Sequence, residues 1–175
     1  GGVGGGANGG SYTGNITIET GRAGKFEFLG GQGRRAFAQV GHGGFDADAS
    51  TDHGGEGRHQ GNISLSAGTD VVFRAGLDNE ADDSNDLAGD SIAYAMLGHG
   101  GYDSDSRGAI SGNVGSITVQ AGTGGVSGGI EFQAGDLDRN FAQLGHGGYN
   151  TSSGTGADGH QGAIDPVSYT HLRAH

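Results

Sequence analysis

The sequence predicts an all-β protein, a parallel β-helix (β-solenoid) built from stacked repeats of about 47 residues. Three observations carry that expectation. One phrase occurs three times: Ala36-Phe-Ala-Gln-Val-Gly-His-Gly-Gly-Phe-Asp-Ala-Asp48, Ala93-Tyr-Ala-Met-Leu-Gly-His-Gly-Gly-Tyr-Asp-Ser-Asp105 and Asn140-Phe-Ala-Gln-Leu-Gly-His-Gly-Gly-Tyr-Asn-Thr-Ser152. The apolar residues around it alternate with polar ones in short runs bounded by Gly, the pattern of half-buried strands. No window carries apolar residues at helical spacing over three turns, and Gly interrupts every candidate helix.

Each repeat offers three strand segments. Segment A is Ile16-Thr-Ile18, Ile63-Ser-Leu65 and Ile117-Thr-Val119. Segment B is Phe26-Glu-Phe28, Val71-Val-Phe73 and Ile130-Glu-Phe132, each followed by a Gly-containing turn. Segment C is the start of the repeated phrase. Ile16 to Ile63 and Ile117 to Ile164 are both steps of 47 residues, and the middle step is lengthened by an acidic insertion, Asn79 to Asp90. The expected units are a Gly-rich end of a preceding repeat (1–13), repeats at 14–60, 61–114 and 115–161, and the opening of a fourth at 162–165. A to C is about 21 residues in the first repeat and C to the next A about 26, which predicts two coils per repeat. Rows of Ile16, Ile63 and Ile117, and of Phe28, Phe73 and Phe132, should then line the core.

Segment C needs a choice of face. Phe37 shares a face with Gln39, and Phe141 with Gln143, while Ala38 pairs with Val40 and Ala142 with Leu144. Burying an unpaired Gln would cost about 1–3 kcal/mol. The expectation is therefore Ala, Val and Leu inward, with Phe37, Tyr94 and Phe141 outward.

Composition narrows the partners. There are 42 glycines in 175 residues, a formal charge of −11 and a single lysine, Lys25. Nucleic acid or an anionic membrane would need a basic stripe, and the chain has the opposite. No apolar run approaches the roughly 20 residues of a membrane-spanning helix, so no membrane insertion by this segment is expected. With no cysteine, neither disulfides nor thiolate metal sites are available. Residues 166–175 match nothing upstream and hold the only proline. They resemble a translated sequencing adapter, and are expected to lie off the fold with no strand partner.

The combination of Gly-Asn-Ile openings with the phrase [FY]-A-x-[LV]-G-H-G-G-[FY] resembles the repeat regions of very large bacterial surface proteins, the filamentous-haemagglutinin-like or beta strand repeat adhesins. Many of these are exported as autotransporter or two-partner passengers. The resemblance covers Gly14 to Asp165. It implies a non-catalytic β-helical stalk at the cell surface or outside the cell, whose partners are neighbouring repeats of the same parent chain.

Candidate site residues fall into three groups. His42, His99 and His146 sit at equivalent places between glycines and read as structural turn residues bonded to the backbone. With two coils per repeat they would lie roughly 9–10 Å apart, too far to share an ion. Asp46, Asp48, Asp52, Asp103 and Asp105 follow the Gly-His-Gly-Gly turns, and carboxylates two apart are the type that calcium uses. Phe37, Tyr94 and Phe141, with Phe45, Tyr102 and Tyr149, would form exposed aromatic rows suited to sugar faces of host or environmental glycans. Asn15, Asn62 and Asn150 begin glycosylation sequons, yet Asn15 and Asn62 read as turn caps before segment A. No group of acid and base at fixed spacing suggests an enzyme, and calcium is the one cofactor the sequence raises.

Overall fold

A computed structural model describes residues 12–31, 35–45, 47, 49–50, 59–76, 92–104, 106–107, 112–136, 139–151 and 159–169. Among them every regular element is a β-strand. β1 (Tyr12–Thr13) precedes the first repeat, which holds β2 (Ile16–Glu19), β3 (Phe26–Leu29), β4 (Ala38–Val40), β5 (Gly43–Phe45), β6 (Ala49–Ser50) and β7 (His59–Gln60). The second holds β8 (Ile63–Ala67), β9 (Val71–Arg74), β10 (Ala95–Leu97), β11 (Gly100–Tyr102) and β12 (Ser106–Arg107). The third contributes β13 (Ile117–Ala121), β14 (Ile130–Gln133) and β15 (Ala142–Leu144), and β16 (Ile164–Ser168) follows.

The strands pair in parallel with their equivalents in the neighbouring repeat. Segment A forms the sheet β16-β13-β8-β2, segment B forms β14-β9-β3, and segment C forms β15-β10-β4. Ile16 pairs with Ile63, Ile63 with Ile117, and Ile117 with Ile164. The expectation of two coils per repeat is overturned by this pairing. Each repeat gives one strand to each of these sheets, and successive equivalents are direct ladder neighbours, about 4.8 Å apart. The even spacing of A to C to A misled the count, because spacing along the chain does not fix which segments lie side by side.

The three larger sheets share one apolar core. Ile63, Leu65 and Ala67 from β8, Val71 and Phe73 from β9, Ala95 and Leu97 from β10, and Ile117, Val119 and Ala121 from β13 are all buried in it. The alternating residues Ser64, Ser66, Thr118 and Gln120 lie on the outer face, as period-2 patterning requires. The expected rows form: Phe28 stacks on Phe73 at 4.6 Å and Phe73 on Phe132 at 4.8 Å. Within this row burial is complete only in the middle. Phe73 is inaccessible, whereas Phe132, at the end of its row, is 45% exposed.

The tail departs from expectation. Pro166, Val167 and Ser168 continue β16 and pair with Val119, Gln120 and Ala121. Tyr169 extends the ladder by donating its N–H to the Ala121 carbonyl at 3.0 Å. Ladder donors alternate sides, so the missing N–H of Pro166 falls on the open edge, where proline is tolerated. Pro166 takes the inward position over Val119 and Val167 the outer one over Gln120, and the edge site accommodates the proline whatever the origin of these residues. Tyr12 and Thr13, ahead of the first repeat, pair with His59 and Gln60 at its end. The acidic insertion, Asn79 to Asp90, lies outside the described residues.

Candidate functional site

The Gly-His-Gly-Gly turns stack into a column, and the stacking dictates their sequence. Gly43 and Gly100 have φ of 113° and 114°, a region closed to side chains. A Cβ on Gly100 would also lie 2.1 Å from the carbonyl oxygen of Gly147 in the next repeat. Glycine is demanded both by the local turn and by its neighbour along the stack.

Between these glycines the three histidines stand face to face. His42 and His99 stack at 5.0 Å, and His99 and His146 at 4.9 Å. The expected separation of roughly 9–10 Å is corrected by the direct pairing of equivalent strands. The His42 N–H donates to Nδ1 of His99 at 3.0 Å, and the His99 N–H donates to Nδ1 of His146 at 3.2 Å. Nε2 of each ring faces a glycine carbonyl: Gly14 at 2.9 Å for His42, Gly61 at 2.7 Å for His99, Gly115 at 2.6 Å for His146. For His99 and His146 an accepting Nδ1 forces the proton onto Nε2, which then donates to the carbonyl. Burial pushes the pKa of His99 down to about 4, against the help of its bond to Gly61, and the neighbouring His146, His42 and His59 push the same way. Burial also lowers His146. Both nitrogens of these two rings are committed, so neither binds a metal nor relays a proton without breaking a bond between repeats.

A second polar column runs beside the first, and sequence reasoning did not assign it. Tyr12 stacks on His59 at 5.4 Å, Nδ1 of His59 meets Oδ1 of Asn113 at 2.9 Å, and the Asn113 N–H donates to Nδ1 of His160 at 3.1 Å. The Asn113 amide also donates to the His99 carbonyl at 3.1 Å, tying the two columns together. The recurrence of His59-Gln60-Gly61 as His160-Gln161-Gly162 was the available signal. Asn15 and Asn62 act similarly: their Oδ1 atoms accept the N–H of Asn62 and of Ser116, both at 2.9 Å, so each caps the next repeat rather than its own turn.

The aromatic rows exist, but not as exposed rows. Phe37 stacks on Tyr94 and Tyr94 on Phe141, both at 4.7 Å; Phe45, Tyr102 and Tyr149 follow at 5.0 and 5.3 Å. Tyr94 is fully buried with Ile92 and Met96, and Phe45, Tyr102 and Phe141 pack against them. Ala95 and Leu97 face the main core as expected, but the expected exposure of the opposite face is corrected: Tyr94 is sealed in a second core and Phe141 packs against it. The argument about Gln39 assumed it would be unpaired. In fact Gln39 donates to the Gly100 carbonyl at 2.9 Å and accepts the Tyr94 hydroxyl at 3.0 Å. The rings with large exposure are Phe37 and Tyr149, at opposite ends. Arg35 lies over Phe45 at 4.6 Å and Arg139 over Tyr149 at 5.5 Å, flanking the rows with cations.

Of the five acidic candidates only Asp103 is described; Asp46, Asp48, Asp52 and Asp105 lie outside the described residues. Asp103 sits at φ 50° and accepts from the Asn150 amide at 2.7 Å. Among the described residues no three His, Asp or Glu side chains converge on one point, and no helix is long and apolar enough to cross a membrane. No protein-family model, no curated protein and no solved structure matches the chain.

Proposed function

We propose that this chain is a non-catalytic structural segment, a β-solenoid stalk of the kind found in secreted or cell-surface bacterial adhesins. The observation that carries the reading is the fate of its polar residues. Histidine, asparagine and glutamine, the side chains that would serve chemistry, are spent on bonds from one repeat to the next. Parallel in-register pairing of all three segments supports a solenoid with one turn per repeat. The resemblance of the Gly-His-Gly-Gly phrase to adhesin repeats supplies the surface location and the expected partners, further repeats of a parent chain.

Two measurements test it. Cysteines at Thr17 and Ser64, ladder neighbours on the outer face, should close a disulfide under mild oxidation, as should a pair at Ser64 and Thr118. Failure of both pairs removes the solenoid. A melting temperature unchanged by millimolar calcium or EDTA is expected of a structural segment, and a rise with calcium would instead make this a calcium-binding module on the same scaffold.

A further inference from the structure

Asn62 opens the triplet Asn62-Ile63-Ser64, an acceptor sequence for N-linked sugars. Its capping role leaves one atom unused. The Asn62 N–H donates to Oδ1 of Asn15 at 2.9 Å, its carbonyl accepts the Ile16 N–H at 2.9 Å, and its own Oδ1 accepts the Ser116 N–H at 2.9 Å. These bonds hold the residue between its neighbours in the first and third repeats. Nδ2 takes no part in them and has no hydrogen-bond partner among the described residues. Asn62 is exposed, and so is Ser64, two residues on and on the same outer face, while Ile63 between them is sealed in the core.

The other two sequons are placed differently. Asn150 spends its Nδ2 on Oδ1 of Asp103 at 2.7 Å. Asn15 repeats the arrangement of Asn62, but it lies only one ladder step away, about 4.8 Å, so a bulky sugar on Asn62 shields it. We infer that Asn62 is an acceptor for N-linked glycosylation, with Ser64 supplying the hydroxyl that a transferase reads. The inference rests on the reading of this chain as a secreted or surface segment, the setting in which this sequon is used.

In the transfer, Nδ2 bonds to the anomeric carbon of a sugar carried on a diphosphate. The bond from that carbon to the diphosphate oxygen breaks, and the diphosphate leaves with the electron pair. Nδ2 gives up one of its two protons to a base of the transferase, and nothing is oxidised or reduced. Oδ1 is untouched, so the bond from Ser116 survives and the sugar projects from the outer face. The backbone of Asn62 and Ile63 is bonded to both neighbouring repeats, so a cleft cannot bend the folded triplet. The chain must therefore meet the transferase before this layer closes.

The test makes the full chain in two bacterial hosts. One supplies a soluble asparagine transferase and UDP-glucose in the cytosol. The other exports the chain past a membrane transferase that holds an oligosaccharide on polyprenyl diphosphate. Peptide mapping by mass spectrometry should find sugar on Asn62 in at least one host, and the host tells whether the donor is a nucleotide or a lipid. Ser64→Ala should abolish the modification, Ser64→Thr should keep it, and neither should move the melting temperature. The glycosylated chain should melt where the bare chain does. Asn62 bare in both hosts, sugar on Asn15 or Asn150 but not on Asn62, modification indifferent to Ser64→Ala, or a modified chain that no longer folds would each overturn the inference. Closure of a disulfide between cysteines at Ser64 and Thr118, alongside any of these failures, leaves the solenoid reading standing and removes only the modification.

Discussion

The backbone N–H of His42 donates to Nδ1 of His99, one repeat away, while the two rings stack at 5.0 Å. This bond exists only while Nδ1 is unprotonated. His99 is held neutral in the fold, with its pKa lowered from 6.5 to about 4 by burial. Unfolded, it returns to its ordinary value and binds a proton below about pH 6.5.

Acid should therefore loosen the stack. Between pH 6.5 and 4 the unfolded state binds more protons than the native state, so stability falls as pH falls. Above pH 6.5 the contribution is flat. His99 alone should account for on the order of 3 kcal/mol lost by pH 4, with His146 and His160 adding in the same direction. Melting temperature across pH 7.5 to 4.5, together with an NMR titration of the His99 ring, checks this. A His99 ring that titrates near its ordinary value would remove the effect.

The turn glycines should be far less replaceable than their number suggests. Gly100→Ala places a Cβ 2.1 Å from the Gly147 oxygen at φ 114°. Backbone strain of about 1–3 kcal/mol is compounded by the clash. Gly21 has no atom within 4 Å of a built Cβ and no positive φ, so Gly21→Ala should stay within roughly 0.5 kcal/mol of the parent. Chemical denaturation of the two variants side by side gives the comparison.

Position along the row should set the cost of a core truncation. Phe73 is sealed between Phe28 and Phe132, and Phe73→Ala should cost about 3–5 kcal/mol and weaken both neighbouring repeats. Phe132→Ala, at the open end of the same row, should cost clearly less. Equal costs in urea unfolding would mean that the end rings are covered in solution.

Much of this was legible in the residues. Period-2 runs and the thrice-repeated phrase marked segments A, B and C as strands and fixed the inward face of Ile63, Phe73 and Leu97, because each follows from alternation alone. The direct pairing of equivalent segments was not legible, since spacing between segments does not reveal which strand lies beside which. Nor was the second core. The choice of one buried face for segment C assumed that a strand with Gln on one side shows that side to water. Gln39 is instead satisfied by Tyr94 and by the Gly100 carbonyl, partners that only the stacked neighbour supplies.

Tyr94 is where that correction becomes measurable. Its equivalents Phe37 and Phe141 lack a hydroxyl, so the Tyr94 hydroxyl is specific to the middle repeat, and it serves the Oε1 of Gln39. Burial raises its pKa above the ordinary tyrosine range, so alkali should not ionise it in the folded state. Tyr94→Phe keeps the ring stack and removes one hydrogen bond, at a cost of about 1–2 kcal/mol. Tyr94→Ala empties the second core and should cost about 3–5 kcal/mol. If a glycan does bind the aromatic rows, the contact must come through exposed rings such as Tyr149. Tyr149→Ala should then abolish binding on a glycan array while Tyr94→Phe leaves it unchanged. A Tyr94→Phe variant that unfolds as readily as Tyr94→Ala would place the weight on the hydroxyl network rather than on packing, and glycan binding lost in Tyr94→Phe but kept in Tyr149→Ala would return Tyr94 to the surface.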